Sequence, residues 1–468
     1  MRPIHANELL AGLALARPVL INAVVTDSRR VQPGCVFVCF PGARVDGHDF
    51  AAAAYRAGAE YIIANHPVEG VPEDHLVVTP SSHRAMLRMA SNYRTLFNPL
   101  MIGVTGSVGK TTTKEFCYAV LSAFGNTLKT EGNQNNEIGL PNTLFRLDEA
   151  TEYAVVEMGM SALGEIARLV RTARPAAGII TMIGVSHLEN LGSRENILKA
   201  KLEICQGLPD GAPLVLNGDD AMLRGASLPG RLRPVWFGID DAAADVRAEE
   251  IRDADGGTAF TLVDAEHGRF AVTIPTVGLH TVRDALAAYA AATRLGLDPA
   301  RAAAALARYQ TTGMRQNVAE HGGVTFIEDC YNASPDSMRA ALDILARRTP
   351  GPGGRRIAVL GDMFELGDAS ETAHRETGAW AADAADLLIA VGERSAAMEQ
   401  EARKKGAATL YCQNTGEVVE YLGSNLRPGD VVLAKASHAM GFEQMLTALY
   451  AVLPAPAAPA GEAGATNT

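Results

Sequence analysis

The stretch that decides the fold is Gly103-Val104-Thr105-Gly106-Ser107-Val108-Gly109-Lys110-Thr111-Thr112. An apolar run at 100–104 leads into it, and a run with helical character leaves it from Lys110. Small residues let backbone N–H groups approach phosphate oxygens, and the start of a helix adds positive potential. Lys110 is placed to reach the β- and γ-phosphates, and Thr111 to ligate Mg²⁺. The stretch therefore predicts a strand, a phosphate-binding loop and a helix, with a nucleoside triphosphate and Mg²⁺ as ligands.

The loop departs from the strict pattern GxxxxGK[ST], because Val104 stands where that pattern has its first glycine. The alternative interpretation is a glycine-rich turn with a solvent-facing lysine. The order of strand, loop and helix favours the nucleotide site. The residues expected to surround the phosphates are Thr105, Gly106, Ser107, Val108, Gly109, Lys110, Thr111 and Thr112.

Outward from the loop, short β-branched runs alternate with Ala- and Leu-rich helical stretches along almost the whole chain. This alternation predicts an α/β protein with mostly parallel sheets. We expect three domains, at 1–97, 98–311 and 312–453, with Asn98-Pro99 breaking the chain after the first. The Ala-, Pro- and Gly-rich tail at 454–468 cannot bury enough apolar surface to order itself, so we expect it to be disordered.

The composition is that of a globular protein with large cores. The chain has 468 residues, of which 47% are hydrophobic, and a net charge of −11, which offers nucleic acid no global attraction. Six scattered cysteines show no metal-ligand spacing and are predicted to be free thiols. The run at 9–16 is too short to span a membrane and is predicted to be an amphipathic helix of a cytoplasmic protein.

Several segments carry a family resemblance. The loop at 105–115, TGSVGKTTTKE, resembles that of the Mur ligases and the folylpolyglutamate synthetases. Further segments narrow the resemblance to the Mur ligases that add D-alanyl-D-alanine: EGNQNNEIGLP at 131–141, EMG at 157–159, VSHLENLGS at 185–193, ILKAKLEI at 197–204, DCYNASPDSM at 329–338 and VLGDMFELG at 359–367. The resemblance implies a three-domain Mur ligase architecture, with a P-loop central domain and a Rossmann-like C-terminal domain.

The resemblance also implies the reaction. An ATP-dependent ligase of this kind joins D-alanyl-D-alanine to UDP-N-acetylmuramoyl-tripeptide through an acyl phosphate, releasing ADP and phosphate, in peptidoglycan precursor synthesis. In the first step the substrate carboxylate attacks the γ-phosphate of ATP. Both groups are anions, so positive charge must screen them. We expect a monomer that binds these substrates, with no nucleic acid and no membrane insertion.

The resemblance assigns a role to each matched residue. Lys110, Glu157, His187 and Lys201 are the expected catalytic residues; Thr111, Glu157, His187 and carbamylated Lys201 would ligate two Mg²⁺ ions. His280, Arg315 and Asp329 would join the loop in binding ATP. The expected substrate-binding residues are Asp27, Ser28, Arg29, Asp46 and His48 for uridine diphosphate, Asn133, Asn135 and Asn136 near the γ-phosphate, and Tyr331, Asn332, Ser334 and Lys435 for the incoming peptide.

Each of these residues also has a plainer interpretation. Taken alone, Glu157 would be a surface acid, His187 a hydrogen-bonded loop histidine and Lys201 a helix-surface lysine. The asparagines would form a polar turn, and Asp46-Gly47-His48 another turn. The ordered recurrence of so many segments favours the functional interpretation.

The chain departs from the family pattern in two places. Thr281 and Asp284 replace two asparagines expected to reach adenine, and an ionised Asp can only accept hydrogen bonds. Ala436 and His438 replace a glycine and an arginine near the acceptor-peptide site. Neither departure lies in the predicted phosphoryl-transfer residues.

Three other functions compete with this prediction. A sibling ligase would add a diamino acid instead, but it lacks the YNASPDSM and LGDMFELG pattern. A kinase or simple ATPase could use the same loop, and a regulatory scaffold could bind nucleotide without catalysis. Whether diaminopimelate or lysine is the third residue of the substrate peptide stays open.

Overall fold

The computed structural model describes residues 1–42, 45–254 and 256–453. These residues form two compact units. Of the described residues, the first unit comprises those within 1–183 and 195–309, and the second comprises 184–194 and 310–453. The tail predicted to be disordered, 454–468, lies outside the described residues.

The first unit begins with a small parallel sheet. Its strands and those of a short preceding hairpin are β1 (Ile4–His5), β2 (Leu20–Ile21), β3 (Ala23–Val25), β4 (Cys35–Val38), β5 (Tyr61–Ala64) and β6 (Leu76–Val78). The helices are α1 (Ala6–Leu9), α2 (Ala51–Arg56) and α3 (Ser82–Arg94), with 3-10 turns at Ser28–Arg30, Gly47–Phe50 and Glu73–His75. The sheet order is β3-β4-β5-β6, all parallel, whereas β1 and β2 pair antiparallel.

The predicted helix at 9–16 is wrong. Helix α1 ends at Leu9, and turns follow it. Gly12 has a φ of 78°, in the left-handed region, which a continuing right-handed helix does not allow. Leu9 and Leu10 are nevertheless fully buried, whereas Leu15 is exposed, so only the start of this apolar run enters the core.

The first unit continues in a nine-stranded sheet. Its strands are β7 (Leu100–Thr105), β8 (Thr127–Lys129), β9 (Tyr153–Glu157), β10 (Ala177–Ile180), β11 (Pro213–Asn217), β12 (Arg233–Gly238), β13 (Val246–Ala254), β14 (Gly257–Asp264) and β15 (Gly268–Ile274). The order is β15-β14-β13-β12-β11-β10-β7-β9-β8. The sheet is parallel from β8 to β13, and β14 and β15 extend it antiparallel.

Helices accompany the strands of this sheet along the chain. They are α4 (Lys110–Leu121), α5 (Gly139–Leu144), α6 (Glu165–Ala173), α8 (Arg194–Lys201), α9 (Ala221–Arg224), α10 (Leu279–Arg294) and α11 (Pro299–Ala305), with 3-10 turns at Leu202–Gly207 and Leu306–Arg308. Small side chains let α10 approach the sheet closely: Ala287 and Ala291 are fully buried, in one apolar cluster with Phe116 of α4 and Val215 of β11. This packing fixes α10 against the helix that follows the glycine-rich loop.

The second unit holds a six-stranded sheet. Its strands are β16 (Asn317–His321), β17 (Val324–Glu328), β18 (Arg356–Gly361), β19 (Leu387–Val391), β20 (Thr409–Cys412) and β21 (Val431–Lys435). The helices are α7 (Leu188–Leu191), α12 (Pro335–Arg347), α13 (Ser370–Ala384), α14 (Ala396–Lys404), α15 (Thr415–Asn425) and α16 (Phe442–Val452), with 3-10 turns at Gly367–Ala369 and His438–Met440. The order is β16-β17-β21-β18-β19-β20, parallel except for the β16–β17 hairpin.

Two predictions from composition can be compared with the structure. All six cysteines lie among the described residues, and all are free and buried, as predicted. No described helix is both long enough and apolar enough to cross a membrane.

Candidate active site

The glycine-rich loop lies where the strand order of the nine-stranded sheet reverses. Strands β8 and β9 lie on one side of β7, and β10 to β12 lie on the other. Ligands of such open parallel sheets bind beyond the carboxyl ends of the strands at this point. Glu157 is the last residue of β9 and is in register with Val104 of β7, so its carboxylate emerges beside the loop.

The loop requires its glycines. Gly106 and Gly109 have φ angles of 147° and 86°. A Cβ at Gly106 would lie 1.8 Å from the Thr181 Oγ1, and one at Gly109 would lie 2.6 Å from the Asp284 Oδ1. The Thr181 hydroxyl also donates to the carbonyl of Val108, which ties the loop to the residue after β10. Thr181 and Asp284 therefore pack closely against the loop and leave room only for glycine at 106 and 109.

Lys110 begins α4 and turns its side chain back over the loop. Its Nζ donates to the carbonyl oxygens of Gly106 and Ser107, at 2.8 and 3.2 Å. A nucleotide phosphate would offer this ammonium a stronger, charged acceptor in the same place.

Glu157 connects the loop to the asparagine-rich segment. The Thr111 hydroxyl donates to one oxygen of its carboxylate at 2.9 Å, and the Asn135 amide donates to the other at 2.8 Å. The backbone N–H of Glu157 donates to the Thr130 Oγ1 at 3.0 Å. Glu157 is 1% exposed, so its interpretation as a surface acid is wrong.

The oxygens of Thr111 and Glu157 fit a magnesium site. Mg²⁺ prefers oxygen ligands and is commonly held by one or two carboxylates together with substrate phosphates and water. Among the residues that the structure describes, no group of three or more His, Cys, Asp and Glu side chains could hold a metal by itself. The protein oxygens here are suited to an ion that enters with the nucleotide.

Lys201, at the end of α8, is fully buried, so its interpretation as a helix-surface lysine is wrong. Its Nζ has no hydrogen-bond partner among the described residues. Burial, reinforced by the positive charge of Lys110, lowers the pKa of Lys201 well below its ordinary value. Burial therefore disfavours the ammonium form of this side chain.

The three predicted asparagines have different roles in the structure. Only Asn135 reaches Glu157. Asn136 accepts hydrogen bonds from the N–H groups of Ile138 and Gly139, at 3.1 and 2.9 Å, and so shapes the start of α5. Asn133 is exposed.

The two departures in the adenine segment point into the protein. Thr281 is 1% exposed and its hydroxyl donates to the carbonyl of Gly278 at 2.7 Å. Asp284 is 5% exposed and accepts a hydrogen bond from the Thr113 hydroxyl at 2.9 Å. Both lie on the first turns of α10, where His280 is half-buried.

The residues predicted to bind uridine diphosphate form two small turns. Asp27 accepts from the backbone and guanidinium of Arg29, and this pairing lowers the pKa of Asp27 to about 2. Asp46 accepts from the backbone N–H of His48 and lies 2.6 Å from its Nδ1, while the Nε2 accepts from the N–H of Asn65 at 2.9 Å. Both nitrogens of His48 are thus engaged within the protein. Ser28 begins the 3-10 turn after Asp27.

In the second unit, Lys435 hydrogen-bonds to predicted site residues near the ends of β17 and β21. Its buried Nζ donates to the Asp329 Oδ2 at 2.7 Å and to the carbonyl of Asn332 at 2.9 Å. The Arg315 guanidinium lies over the Tyr331 ring, 3.8 Å from its centroid. Ser334 is the N-cap residue of α12, and its N–H donates to the Ser337 Oγ at 2.9 Å.

The structure also places Ala436 and His438, the two residues near Lys435 that depart from the family pattern. Ala436 is fully buried and belongs to the apolar core of the second unit. His438 begins a 3-10 turn, with its ring centroid 5.8 Å from that of Tyr331. The replacement at 438 thus stays in contact with a residue predicted to bind the peptide.

His187 lies in the second unit, on the segment 184–194. Its Nδ1 is 2.6 Å from the Glu365 Oε2, and the N–H of Glu189 donates to the carbonyl of Glu365 at 3.2 Å. His187 and Glu365 both have positive φ angles, 64° and 63°. A carboxylate on one ring nitrogen of a histidine fixes its tautomer and orientation.

Sequence reasoning missed several supporting residues. Thr130, Thr181 and Thr113 hold Glu157, the loop and Asp284, and Glu365 holds His187. Thr130 and Glu157 are 27 residues apart in the chain, and no spacing rule connects them. An alignment of strand ends could have placed Thr181 and Thr130 near the loop, since both follow strands.

Three family models match the chain. Residues 20–93 match the model described as "Mur ligase family, catalytic domain", residues 104–292 the "Mur ligase middle domain", and residues 314–438 the "Mur ligase, glutamate ligase domain". The glycine-rich loop, Glu157 and Lys201 fall within the second match, and Lys435 falls within the third.

Relatives and solved structures agree with these models. The UDP-N-acetylmuramoyl-tripeptide–D-alanyl-D-alanine ligase of Bacillus subtilis is 38% identical over 449 residues, which are 94% of this chain and 96% of that protein. A crystal structure of MurF from Acinetobacter baumannii is 29% identical, with a TM-score of 0.87, over 96% of this chain and 99% of that one. MurF of Thermotoga maritima in complex with ADP is 30% identical, with a TM-score of 0.82, over 92% and 97% of the two chains. The predicted α/β Mur ligase architecture is confirmed, and the chain belongs to the Mur ligase family.

Proposed function

We propose that this chain is the ATP-dependent ligase that adds D-alanyl-D-alanine to UDP-N-acetylmuramoyl-tripeptide in peptidoglycan precursor synthesis. The 38% identity to a ligase of that name, over nearly the whole length of both chains, carries the choice of substrates. The buried Thr111–Glu157–Asn135 network beside the glycine-rich loop supports the phosphoryl-transfer step.

The chain binds ATP through the loop between β7 and α4. The loop N–H groups and the start of α4 face the phosphates, and Lys110 exchanges its contacts with Gly106 and Ser107 for phosphate oxygens. The tripeptide carboxylate then attacks the γ-phosphate, and an acyl phosphate and ADP result. The amine of D-alanyl-D-alanine displaces phosphate and leaves an amide. Lys110 lowers the repulsion between the two anions in the first step.

Magnesium supplies the remaining positive charge when it is bound with ATP. Thr111 and Glu157 would hold one ion, with Asn135 orienting the carboxylate. CO₂ would add to the amine of Lys201 with loss of a proton, giving a carbamate whose oxygens would be anionic ligands for a metal ion. The resemblance adds His187 as a further metal ligand. The absence of any partner for the Lys201 Nζ among the described residues supports this modification.

The remaining assignments follow the resemblance. His280, Arg315 and Asp329 bind ATP. Asp27, Ser28, Arg29, Asp46 and His48 bind the uridine diphosphate moiety, and because both ring nitrogens of His48 are engaged, it acts by holding its turn in shape. Asn133 and Asn136 act beside Asn135, and Tyr331, Asn332, Ser334 and Lys435 form the peptide end of the site.

The three family models also support the domain bounds 1–97, 98–311 and 312–453, since each model falls within one of these ranges. We propose a monomer with no nucleic-acid partner that acts in the cytoplasm, where its nucleotide substrates are made.

The deciding experiment supplies UDP-N-acetylmuramoyl-tripeptide, D-alanyl-D-alanine, ATP, Mg²⁺ and bicarbonate. We expect a pentapeptide product by mass spectrometry, with one phosphate released per amide formed. Lys110→Ala abolishes both, because the triphosphate loses its main cation. Lys404→Ala, which removes an exposed lysine on α14, leaves both unchanged.

Other outcomes would point to the competing functions. Phosphate release that does not depend on D-alanyl-D-alanine indicates an ATPase or kinase and overturns the ligase assignment. A product formed with a diamino acid and the dipeptide precursor indicates the sibling ligase. Nucleotide binding without any turnover indicates a scaffold.

A further inference from the structure

Asp284 is a carboxyl group buried beneath the glycine-rich loop. It lies on the second turn of α10, is 5% exposed, and faces the loop closely enough that a Cβ at Gly109 would lie 2.6 Å from its Oδ1. Its Oδ1 accepts one hydrogen bond, from the Thr113 hydroxyl on α4, and its Oδ2 has no partner among the described residues. No role in the proposed reaction uses this group.

No cation among the described residues forms an ion pair with Asp284, and the charge of the neighbouring Arg283 only partly offsets the burial that raises the pKa of Asp284. Arg283 is next to it in the chain, but its guanidinium donates to Asp219 and Asp240 at 2.6 and 2.7 Å. Lys110 donates to loop carbonyls, and Lys114, also on α4, donates to the carbonyl of Thr130.

The other elements against α10 are apolar or point elsewhere. Strands β10, β11, β12 and β13 present Ile179, Val215, Val235 and Val246 to the same core. The ionisable group on α4 that faces Asp284 is the Cys117 thiol, and the presence of Asp284 adds to the burial that raises the pKa of that thiol. On α11, the Arg301 guanidinium is directed at the carbonyl of Ala123.

A lone carboxylate in such surroundings is expensive, because it loses its hydration and gains one neutral hydrogen bond. Burial raises the pKa of Asp284 to about 8. In its protonated form the side chain has one hydroxyl donor and one carbonyl acceptor and the shape of an asparagine. It then meets Thr113 and the loop as a neutral group.

We propose that Asp284 is a positioning residue for ATP, which as a neutral carboxylic acid holds Thr113 of α4 and the Gly109 end of the loop in their nucleotide-binding arrangement. Its ionisation places an uncompensated negative charge directly under the loop that receives the triphosphate. The charge repels the phosphates and strains the loop, so ATP binding weakens as Asp284 loses its proton. This inference rests on the proposed use of the loop for ATP, but it needs no assumption about the other substrates.

The linkage to folding has a definite sign. Because the pKa of Asp284 is raised from 3.8 to about 8, the folded protein holds a proton that the unfolded chain releases between these values. The contribution of Asp284 to folding stability is therefore least unfavourable below about pH 4 and becomes steadily worse as the pH rises to about 8. Asp284→Asn removes this penalty and should stabilise the protein, with a gain that grows over the same pH range and then levels off.

The test measures ATP and ADP binding by titration calorimetry on the full chain, without peptide substrates. Between about pH 7 and about pH 9 the affinity of the unaltered protein should fall about tenfold, as expected for one ionisation centred near pH 8. Asp284→Asn should hold its affinity within about twofold over the same range. Asp343→Asn, which makes the same charge change at an exposed position on α12, should follow the unaltered protein.

A second variant tests whether Asp284 positions Thr113 through its hydrogen bond or only fills space beneath the loop. Asp284→Leu fills a similar space but leaves the Thr113 hydroxyl without its acceptor, so it should bind ATP more weakly than Asp284→Asn at every pH. An infrared difference spectrum between the unaltered protein and Asp284→Asn should show a protonated carboxyl band at neutral pH that fades by about pH 9. Parallel pH profiles for the unaltered and Asn proteins, or equal binding by the Leu and Asn variants, would overturn the proposal. Loss of ligase turnover with this pH response intact would overturn only the proposed function.

Discussion

Lys201 and Lys435 are two buried lysines with opposite surroundings. Lys201, in the first unit, is 0% exposed and its Nζ has no partner among the described residues. Lys435, in the second unit, is 2% exposed, and its Nζ donates to a carboxylate and to two carbonyl oxygens, of Asp329 and Asn332. Burial alone therefore does not indicate what a lysine does.

The partners decide the state of each group. Without acceptors, an ammonium at Lys201 costs too much, and burial lowers the pKa of the amine well below its ordinary value. With a carboxylate 2.7 Å away, the ammonium of Lys435 is compensated and links β21 to the loop after β17. The first lysine is available for chemistry, and the second serves the proposed peptide end of the site by holding its backbone arrangement. Two substitutions test this contrast, and a third tests the Glu157 network of the first unit.

Lys201→Met should have the largest effect, and on activity. We expect ligase turnover to fall about a thousandfold, or about 4 kcal/mol in the barrier, because the carbamate ligand proposed for a metal ion is lost. Stability should stay the same or rise, since the buried amine had no partner to lose. The measurements are pentapeptide formation and the thermal midpoint, with Lys199→Met, an exposed lysine on the same helix, as the control. A large drop in the midpoint would contradict the idea that Lys201 is unpartnered.

Lys435→Met should mainly affect stability. It leaves the Asp329 carboxylate buried with its cation removed, and we expect a loss of about 3 kcal/mol in the free energy of unfolding, measured by denaturant titration. The double variant Lys435→Met with Asp329→Leu should regain much of this loss, because no unpaired charge remains. Lys404→Met, exposed in the same unit, should have no effect. Unchanged stability in Lys435→Met would mean that the ion pair does not stabilise the fold.

Asn135→Ala should have the smallest of the three effects. It removes the amide that donates to Glu157 but leaves the contact with Thr111, so the carboxylate is oriented less well. The Mg²⁺ concentration for half-maximal activity should rise about tenfold, as is common when a ligand loses its supporting hydrogen bond. Asn425→Ala, at the end of α15, is the control. An unchanged Mg²⁺ requirement would remove Glu157 from the metal site that we propose.

The sequence by itself determined the fold class and the elements around the glycine-rich loop. The apolar run at 100–104 became β7, and the helix predicted to leave the loop from Lys110 became α4, which begins at that residue. The signals of both elements are local: an apolar run, and a run with helical character after a glycine-rich turn. The loop at 103–112 was also readable, because a phosphate cradle needs small residues and a lysine at close spacing.

Only the tertiary structure decided which polar groups are paired. Glu157 accepts hydrogen bonds from Thr111 and Asn135, whereas the Lys201 Nζ has no hydrogen-bond partner among the described residues. Asp284 lies close to Gly109. These arrangements depend on strands and helices that meet across large separations in the chain. Thr113 and Asp284, for instance, are 171 residues apart. Solvation and hydrogen bonding set the charge of a buried group, and both are properties of the packed neighbourhood, which no local pattern of residues contains.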